Sequence, residues 1–189
     1  MTRTVFERAD VIPMVAEVFR ELGYEGASMS KITARTRLSK GSLYHFFPGG
    51  KDEMAAEILA HIDQWFTGHI FEPLERDEPR EAIQNMWREV NAYFQSGQRI
   101  CLVGAFALDE TRDRFASIIQ QYFKRWVDAL CAAIVRIGAS MEAAIKISED
   151  TVGSIQGGLI LSRALHDPTV FERTLAGITE RVTIFIEEI

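Results

Sequence analysis

Every long stretch of the chain repeats its apolar residues at spacings of three and four, and none alternates them strictly between hairpin turns. That pattern predicts an all-α protein. The first such stretch places Ile12, Val15, Ala16, Phe19 and Leu22 on one face. Asp10 can serve as its N-cap, Pro13 is tolerated in the first turn, and Gly23 stops it. Ser28 then opens a short helix from Met29 to about Thr36, and Ser39 opens a third from Lys40 to about Phe46. In each, a serine hydroxyl can accept from a free backbone N–H. Only Arg37 and Leu38 lie between the two. Short capped helices, a tight turn, and Ile32, Leu38 and Leu43 pointing inward predict a helix-turn-helix.

The run Phe47-Pro48-Gly49-Gly50 breaks the pattern, and a helix resumes from Lys51 to about Phe71 with Asp52 and Glu53 in its first turn, where the helix dipole favours them. The expected domain boundary is this break, with residues 1–50 before it and 51–189 after it. Beyond Pro73 comes a charged loop. Pro79 opens a helix to about Gly97, Leu102 to Leu108 is short, and Arg112 to about Gly138 is long. Ser140 to His166 and Pro168 to Glu188 are the last two. No internal repeat or low-complexity segment is evident.

A composition of 47% hydrophobic and 25% charged residues in 189 is that of a globular chain with room for one or two domains. No apolar run approaches the roughly 18 residues that cross a bilayer, and Glu7 and Asp10 follow Met1-Thr2-Arg3-Thr4-Val5 with no leader-like apolar region. No membrane association is expected, and the cytoplasm is the expected location. The net charge of −6 opposes nucleic-acid binding until it is divided along the chain. Residues 1–51 carry eight Lys or Arg against five Asp or Glu, whereas 52–189 carry 13 against 22. From Gly26 to Lys51 there is no acidic side chain, while Lys31, Arg35, Arg37, Lys40 and Lys51 supply five positive charges. Such a footprint suits phosphate on an otherwise acidic protein.

Within that footprint, Ser39-Lys40-Gly41-Ser42-Leu43-Tyr44-His45-Phe46 reads as a recognition helix. Gly41 admits close approach of the backbone to phosphate or sugar. Lys40 and Ser42 lie at the end of the helix that reaches base edges in a major-groove docking, and Tyr44 and His45 can donate to phosphate oxygens. Ser28 can hold the backbone on one side of the groove and Lys51 on the other. The plainer reading, a solvated basic face beside an aromatic core, competes with this one. The capped helix, the two-residue turn and the acid-free window favour the first.

The run Phe19-Arg20-Glu21-Leu22-Gly23-Tyr24-Glu25-Gly26-Ala27-Ser28-Met29-Ser30-Lys31-Ile32, continued by Leu38 to Phe46, closely resembles the N-terminal domain of the TetR/AcrR family of bacterial regulators. The resemblance covers roughly residues 6–60 through specific motifs and the remainder by helix number and length. It implies a homodimer, usually a repressor, that leaves a pseudo-palindromic double-stranded DNA operator when a small-molecule effector binds. The expected architecture is then an N-terminal three-helix helix-turn-helix domain followed by a helical-bundle ligand-binding and dimerisation domain. The DNA-contacting positions implied are Ser28, Lys40, Gly41, Ser42, Tyr44, His45 and Lys51, with Ser39 as the cap beside them. Arg37 departs from the family, standing where a turn glycine is common. It must adopt an unfavourable backbone or alter the turn, and it adds a candidate phosphate contact. Phe47-Pro48-Gly49-Gly50-Lys51-Asp52-Glu53-Met54 is similar to the junction of the multidrug-responsive LmrA/YxaF subgroup.

In the C-terminal part, Phe171, Leu175, Ile178, Val182 and Ile186 form a stripe on the last helix. The helix before it holds Gly153 and Gly157 one turn apart, with Gly158 beside them. Packing within one chain and a four-helix dimer interface both fit, and the resemblance favours the interface. Trp65, Phe66, His69, Trp87, Asn91, Phe94, Phe106, Tyr122, Trp126 and Gln156 are candidates to line a cavity between helices, ordinary core packing being the alternative for each. As a set they suit a flat or hydrophobic ligand such as an antibiotic, dye or quinone-like compound.

Cys101, two residues from Arg99, is either a small packed residue or a sensor of electrophiles and oxidants. Cys131, inside an apolar run, reads as packing. Neither shows metal-ligand or disulfide spacing. No phosphate loop, nucleophile elbow or clustered carboxylate and histidine set appears, and His61 and His69 are too far apart for a local metal pair. No enzyme, metal or cofactor is expected. The rival to a DNA-binding regulator is a helical small-molecule-binding protein whose Ser-Lys-Gly element is incidental.

Overall fold

The computed structural model describes residues 6–108 and 110–189. Met1 to Val5, part of the basis for expecting no leader, lie outside the described residues. The protein is all-α, and no strand occurs among the described residues. In chain order the helices are α1 (Arg8–Gly26), α2 (Met29–Thr36), α3 (Lys40–Phe46) and α4 (Lys51–Phe66), then a π-helical turn (Thr67–Phe71) and α5 (Glu72–Arg76). There follow α6 (Pro79–Tyr93), α7 (Leu102–Ala107), a 3₁₀ turn (Glu110–Phe115), α8 (Ala116–Ile137), α9 (Met141–Leu165) and α10 (Thr169–Glu187). Among the described residues no helix is long and apolar enough to cross a membrane.

The helix expected from Lys51 to about Phe71 passes into a π-helical turn after Phe66, and the long helix expected from Arg112 begins only at Ala116, after a 3₁₀ turn; three further ends differ for a local reason. Glu7, not Asp10, is the N-cap of α1. Asp10 lies a turn inside, where its Oδ2 accepts from the Glu7 N–H at 2.9 Å, the return half of a capping box. The helical geometry of α1 breaks at Gly23 (φ 69°, ψ 172°), and a single irregular turn carries the chain on to Gly26. The third difference is at α6, which ends at Tyr93 because Gln95, Ser96 and Gly97 all take positive φ (50°, 52° and 88°). Only a glycine fits the last of these: a Cβ there would lie 2.5 Å from Phe171 Cβ. Ser162 Oγ locks the turn by donating to the Gly97 carbonyl at 3.1 Å.

The chain divides into two compact units, one formed by residues up to Asp63 with Leu102–Ile119, the other by Gln64–Cys101 with Gln120–Ile189. Packing therefore gathers most of α4, α7 and the 3₁₀ turn with the N-terminal helices, whereas the boundary expected from the sequence is at 50/51. In the first unit Ile32, Leu43 and Phe47 are fully buried beneath the helix-turn-helix. Beside them Phe19, Tyr24, Phe106 and Phe115 form an edge-to-face ring cluster. Burial of one such side chain is worth about 1.5–3 kcal/mol, so a handful of them can hold three short helices together.

The second unit is built on a larger aromatic core. Phe66 meets Tyr93, Tyr122 and Trp126 at centroid separations of 4.8, 5.1 and 5.1 Å, with Phe71 and Phe94 at 5.9 and 6.1 Å. Helices α9 and α10 pack along each other. At Gly158 the two come so close that a Cβ would lie 3.0 Å from Thr174 Cγ2.

Candidate nucleic-acid interface

Two serine caps and one left-handed residue build the reading head. Ser28 Oγ accepts from the Lys31 N–H at 3.4 Å, and Ser39 Oγ accepts from the Ser42 N–H at 3.0 Å. Between the helices Arg37 adopts φ 59°, ψ 17°, the conformation a glycine would take without penalty. Thr36 Oγ1 steadies the turn, donating to the Ile32 carbonyl at 2.7 Å and accepting from the Leu38 N–H at 3.3 Å. Ile32, Leu38 and Leu43 are buried, so the opposite face of α3 is turned outward.

On that outward face the structure brings together most of the expected DNA contacts. Ser28, Arg37, Ser39, Lys40, Gly41, Tyr44 and His45 are exposed, and Ser42 is half-buried. The Lys40 ammonium lies 5.8 Å from the Tyr44 ring centre. Ser42 Oγ sits 2.8 Å from Ser39 Oγ, so the two hydroxyls are shared between cap and surface. Gly41 is helical and open: a Cβ there would meet only Ser39 Oγ, at an ordinary 3.7 Å. Neither backbone conformation nor internal packing demands a glycine here. Lys31 is exposed, whereas Arg35 is paired with Glu21; the acid-free window in sequence is not acid-free in space.

Lys51 is placed differently from the others. Its Nζ donates to the Tyr24 carbonyl at 3.1 Å and lies 4.0 Å above the Tyr24 ring, with Glu25 at 3.7 Å. It is the outer member of a cluster that the sequence reading did not find. The Tyr24 hydroxyl donates to Asp52 Oδ1. Arg114 Nη1, from the 3₁₀ turn, donates to both the Tyr24 hydroxyl (2.9 Å) and Asp52 Oδ1 (2.8 Å). Burial, together with the bond to the Asp52 carboxylate, pushes the Tyr24 phenol up to about 12. Asp52 is held below the ordinary carboxylate value, first by the Tyr24 hydroxyl and then by the Arg114 charge. Arg114 is 62 residues from Asp52 in sequence, and no local signal announces it.

The candidates in the second unit are dispersed over core and surface. Phe66, Phe94, Tyr122 and Trp126 are in the buried aromatic core, Trp87 is buried on α6, and Asn91 and Gln156 are half-buried. Trp65 stacks on the exposed His69 at 4.3 Å with the rings 7° from parallel, at the edge of the π-helical turn. Phe106 is elsewhere, in the N-terminal unit against Phe19 and Tyr24, because α7 packs there. Trp126 Nε1, Ser148 Oγ, Thr151 Oγ1 and Gln156 Nε2 are buried with no hydrogen-bond partner among the described residues. In the sequence Ser148 and Thr151 carry no signal, since a helical serine and threonine look ordinary.

The stripe expected to meet a second copy is already occupied within one chain. Phe171, Leu175, Ile178, Val182 and Ile186 are between 0% and 8% exposed, so they have no surface left for a partner. The large apolar residues these helices leave exposed are instead Met141, Ile145, Ile160, Leu161 and Leu165 on α9 and Ile184 on α10. Gly153 and Gly157 open outward, with nothing within 4 Å of where a Cβ would stand. Both cysteines are buried. Burial, with Asp128 nearby, pushes the Cys131 thiol up, the reverse of what a reactive thiolate needs. No group of three or more His, Cys, Asp or Glu able to hold a metal ion occurs among the described residues.

A capped helix-turn-helix with a sealed inner face and a basic outer one, joined to a separate helical unit, defines a DNA-binding transcriptional regulator. The chain belongs to the TetR family, in its LmrA/YxaF-like branch. Residues 16–58 match the family model "Bacterial regulatory proteins, tetR family", and residues 79–176 match "Transcriptional regulator LmrA/YxaF-like, C-terminal domain". Among relatives, the HTH-type transcriptional regulator YxaF of Bacillus subtilis is 27% identical, the match covering 100% of this chain and 99% of that protein. LmrA of the same organism is 25% identical over 86% of this chain and 89% of its own length. A TetR regulator from Legionella pneumophila shares the fold with a TM-score of 0.75 at 19% identity, covering 95% of this chain and 99% of that one. So does a cysteine mutant of the TetR-family regulator CifR complexed with 26-bp operator DNA, with a TM-score of 0.70 at 23% identity, covering 95% and 97%.

Proposed function

We propose that this regulator is a homodimeric repressor that is released from its operator by a small hydrophobic or aromatic molecule. The observation that carries the DNA side is the outward face of α3, where Lys40, Tyr44 and His45 surround a helical glycine that the chain itself does not need. Ser28, Arg37 and Ser39 extend that face, Ser42 faces the groove beside Lys40, and Lys51 flanks it. Two such heads, about 34 Å apart in a dimer, read a pseudo-palindrome. The exposed apolar residues of α9 and α10, around Gly153 and Gly157, are the surface through which a second copy docks.

The effector occupies the C-terminal unit, among Trp65, Phe66, His69, Trp87, Asn91, Phe94, Tyr122, Trp126 and Gln156. Trp126 Nε1, Ser148 Oγ, Thr151 Oγ1 and Gln156 Nε2 are buried in that unit with no partner among the described residues, and each unmet group costs about 1–3 kcal/mol. A largely flat, apolar molecule with a few acceptor and donor atoms relieves that cost. The protein acts in the cytoplasm, where operator and effector meet.

Lys40→Ala tests the DNA side. Operator affinity falls and the slope of log K against log salt loses about 0.9, the value of one phosphate contact, with the oligomeric state unchanged. Unchanged affinity removes Lys40 from the interface. Retention of sequence-specific binding at moderate salt separates this reading from an incidental basic patch, which loses all affinity there.

A further inference from the structure

The cluster around Tyr24 does something the DNA-facing residues cannot do for themselves. Lys51 is the first residue of α4 and follows the recognition helix after only the Phe47–Gly50 turn, which is closed by the Gly50 N–H donating to the Phe47 carbonyl at 2.9 Å. Its ammonium is seated on the carbonyl and ring of Tyr24, while its neighbour Asp52 accepts from the Tyr24 hydroxyl. Tyr24 is 3% exposed and wedged among rings that include Phe106 and Phe115. Arg114, one residue before Phe115, closes the arrangement from outside.

An isolated exposed Arg–Asp pair contributes little, and both of these side chains are about half exposed. Arg114 differs because one nitrogen reaches two acceptors that are themselves bonded to each other, and its guanidinium lies 5.6 Å over the buried Tyr24 ring. Networks of this kind hold geometry better than single pairs. There is an electrostatic role as well. Asp52 carries its negative charge beside Lys51, on the side where phosphate is to be held, and Arg114 offsets it.

We propose that Arg114 is a positioning residue for operator binding: through Tyr24 and Asp52 it sets the first turn of α4 and the Lys51 ammonium, and it masks a carboxylate that would otherwise repel the DNA backbone. This rests on the reading of α3 and Lys51 as DNA-facing. The segment that carries Arg114 continues directly into α8, so operator affinity depends on residues far in sequence from the helix-turn-helix.

The test uses the full chain and a duplex enriched by the wild-type protein from a random-sequence library, with affinity measured by fluorescence anisotropy over a salt series and folding followed by thermal melts. Arg114→Ala binds on the order of tenfold more weakly, and its salt slope falls by about 0.9, as it does in Lys51→Ala. The two changes together weaken binding by less than the sum of their separate losses. Arg114→Lys, which keeps the charge, recovers most of the affinity. Asp52→Asn in the Arg114→Ala background recovers part of it, since the asparagine amide is neutral yet its carbonyl oxygen still accepts from Tyr24. Wild-type affinity in Arg114→Ala overturns the proposal. So does a loss with an unchanged slope that adds to Lys51→Ala, the mark of general destabilisation. Should Arg114→Ala fail to fold, wild-type affinity and slope in Arg114→Gln have the same force. Failure of the wild-type chain to enrich any sequence refutes the reading on which the proposal rests.

Discussion

Gly41→Ala separates what the fold needs from what DNA needs at one atom. Gly41 is an exposed residue in the first turn of α3, with ordinary space for a Cβ, 3.7 Å from Ser39 Oγ. Glycine in a helix costs about 0.5–1 kcal/mol relative to alanine, through the backbone freedom it loses on folding. With no clash to offset that gain, the variant is more stable by about 0.5–1 kcal/mol. For a chain of this size the melting temperature rises by roughly 1–4 °C. The operator sees the opposite effect. A methyl group placed where the α3 backbone approaches phosphate is overpacking at an interface, worth about 1–3 kcal/mol, or roughly a 5- to 150-fold loss of affinity. Differential scanning fluorimetry and anisotropy titration on the same preparation read both quantities. A lower melting temperature would show that the fold itself requires the glycine. Undiminished affinity would show that the backbone at this point stays clear of the DNA.

Three further changes probe other levels of the structure. Gly97→Ala forces a side chain into positive φ and to within 2.5 Å of Phe171 Cβ, so chemical denaturation registers a loss of about 3 kcal/mol or more; a loss under about 1 kcal/mol would mean the turn rearranges freely. Asp52 is held below its ordinary value of 3.8, chiefly by the Tyr24 hydroxyl. A depressed carboxylate contributes its stability above the ordinary value and loses it as pH falls through the folded one. The small advantage of wild type over Asp52→Asn is therefore constant above about pH 5 and shrinks as the pH falls below the ordinary carboxylate value, and an advantage that does not shrink in acid contradicts the assignment. Leu161→Glu places a charge on the exposed apolar face of α9 and converts a dimer to a folded monomer in light scattering; an unchanged mass locates the interface elsewhere.

What could be read from the sequence is largely what is short-range in it. Both caps, Ser28 and Ser39, bond three residues ahead. The turn between α2 and α3 is set by neighbouring residues, and the inward Ile32, Leu38 and Leu43 follow from helical spacing alone. The oddity at Arg37 is legible only through the family resemblance, which puts a turn glycine there; of the two outcomes that left open, the structure shows the left-handed conformation that side chains avoid. The apolar stripe of α10 is visible in the spacing, but a stripe records only that a face is buried, not whose surface buries it. Phe171 to Ile186 are covered by the chain's own helices, and the apolar residues that α9 and α10 leave exposed are the less regular Met141, Ile145, Ile160, Leu161, Leu165 and Ile184.

Charge was the least transferable signal, for a physical reason. Counting along the chain isolated a window without acids from Gly26 to Lys51, yet Coulomb interactions act through space over a Debye length of about 10 Å. Within that reach Glu21 takes Arg35, and Asp52 lies against Lys51, itself bound to Tyr24. The compensating cation, Arg114, comes from beyond the fourth helix. The positive face proposed to meet DNA is thus narrower than the sequence suggests, centred on Arg37, Lys40 and Lys31, and its flank depends on a long-range neutralisation. A surface assembled in this way is adjustable. Residues fixed by local caps hold the recognition helix in shape whatever happens elsewhere, whereas a flank held by Arg114 can be strengthened or weakened without disturbing a side chain of that helix.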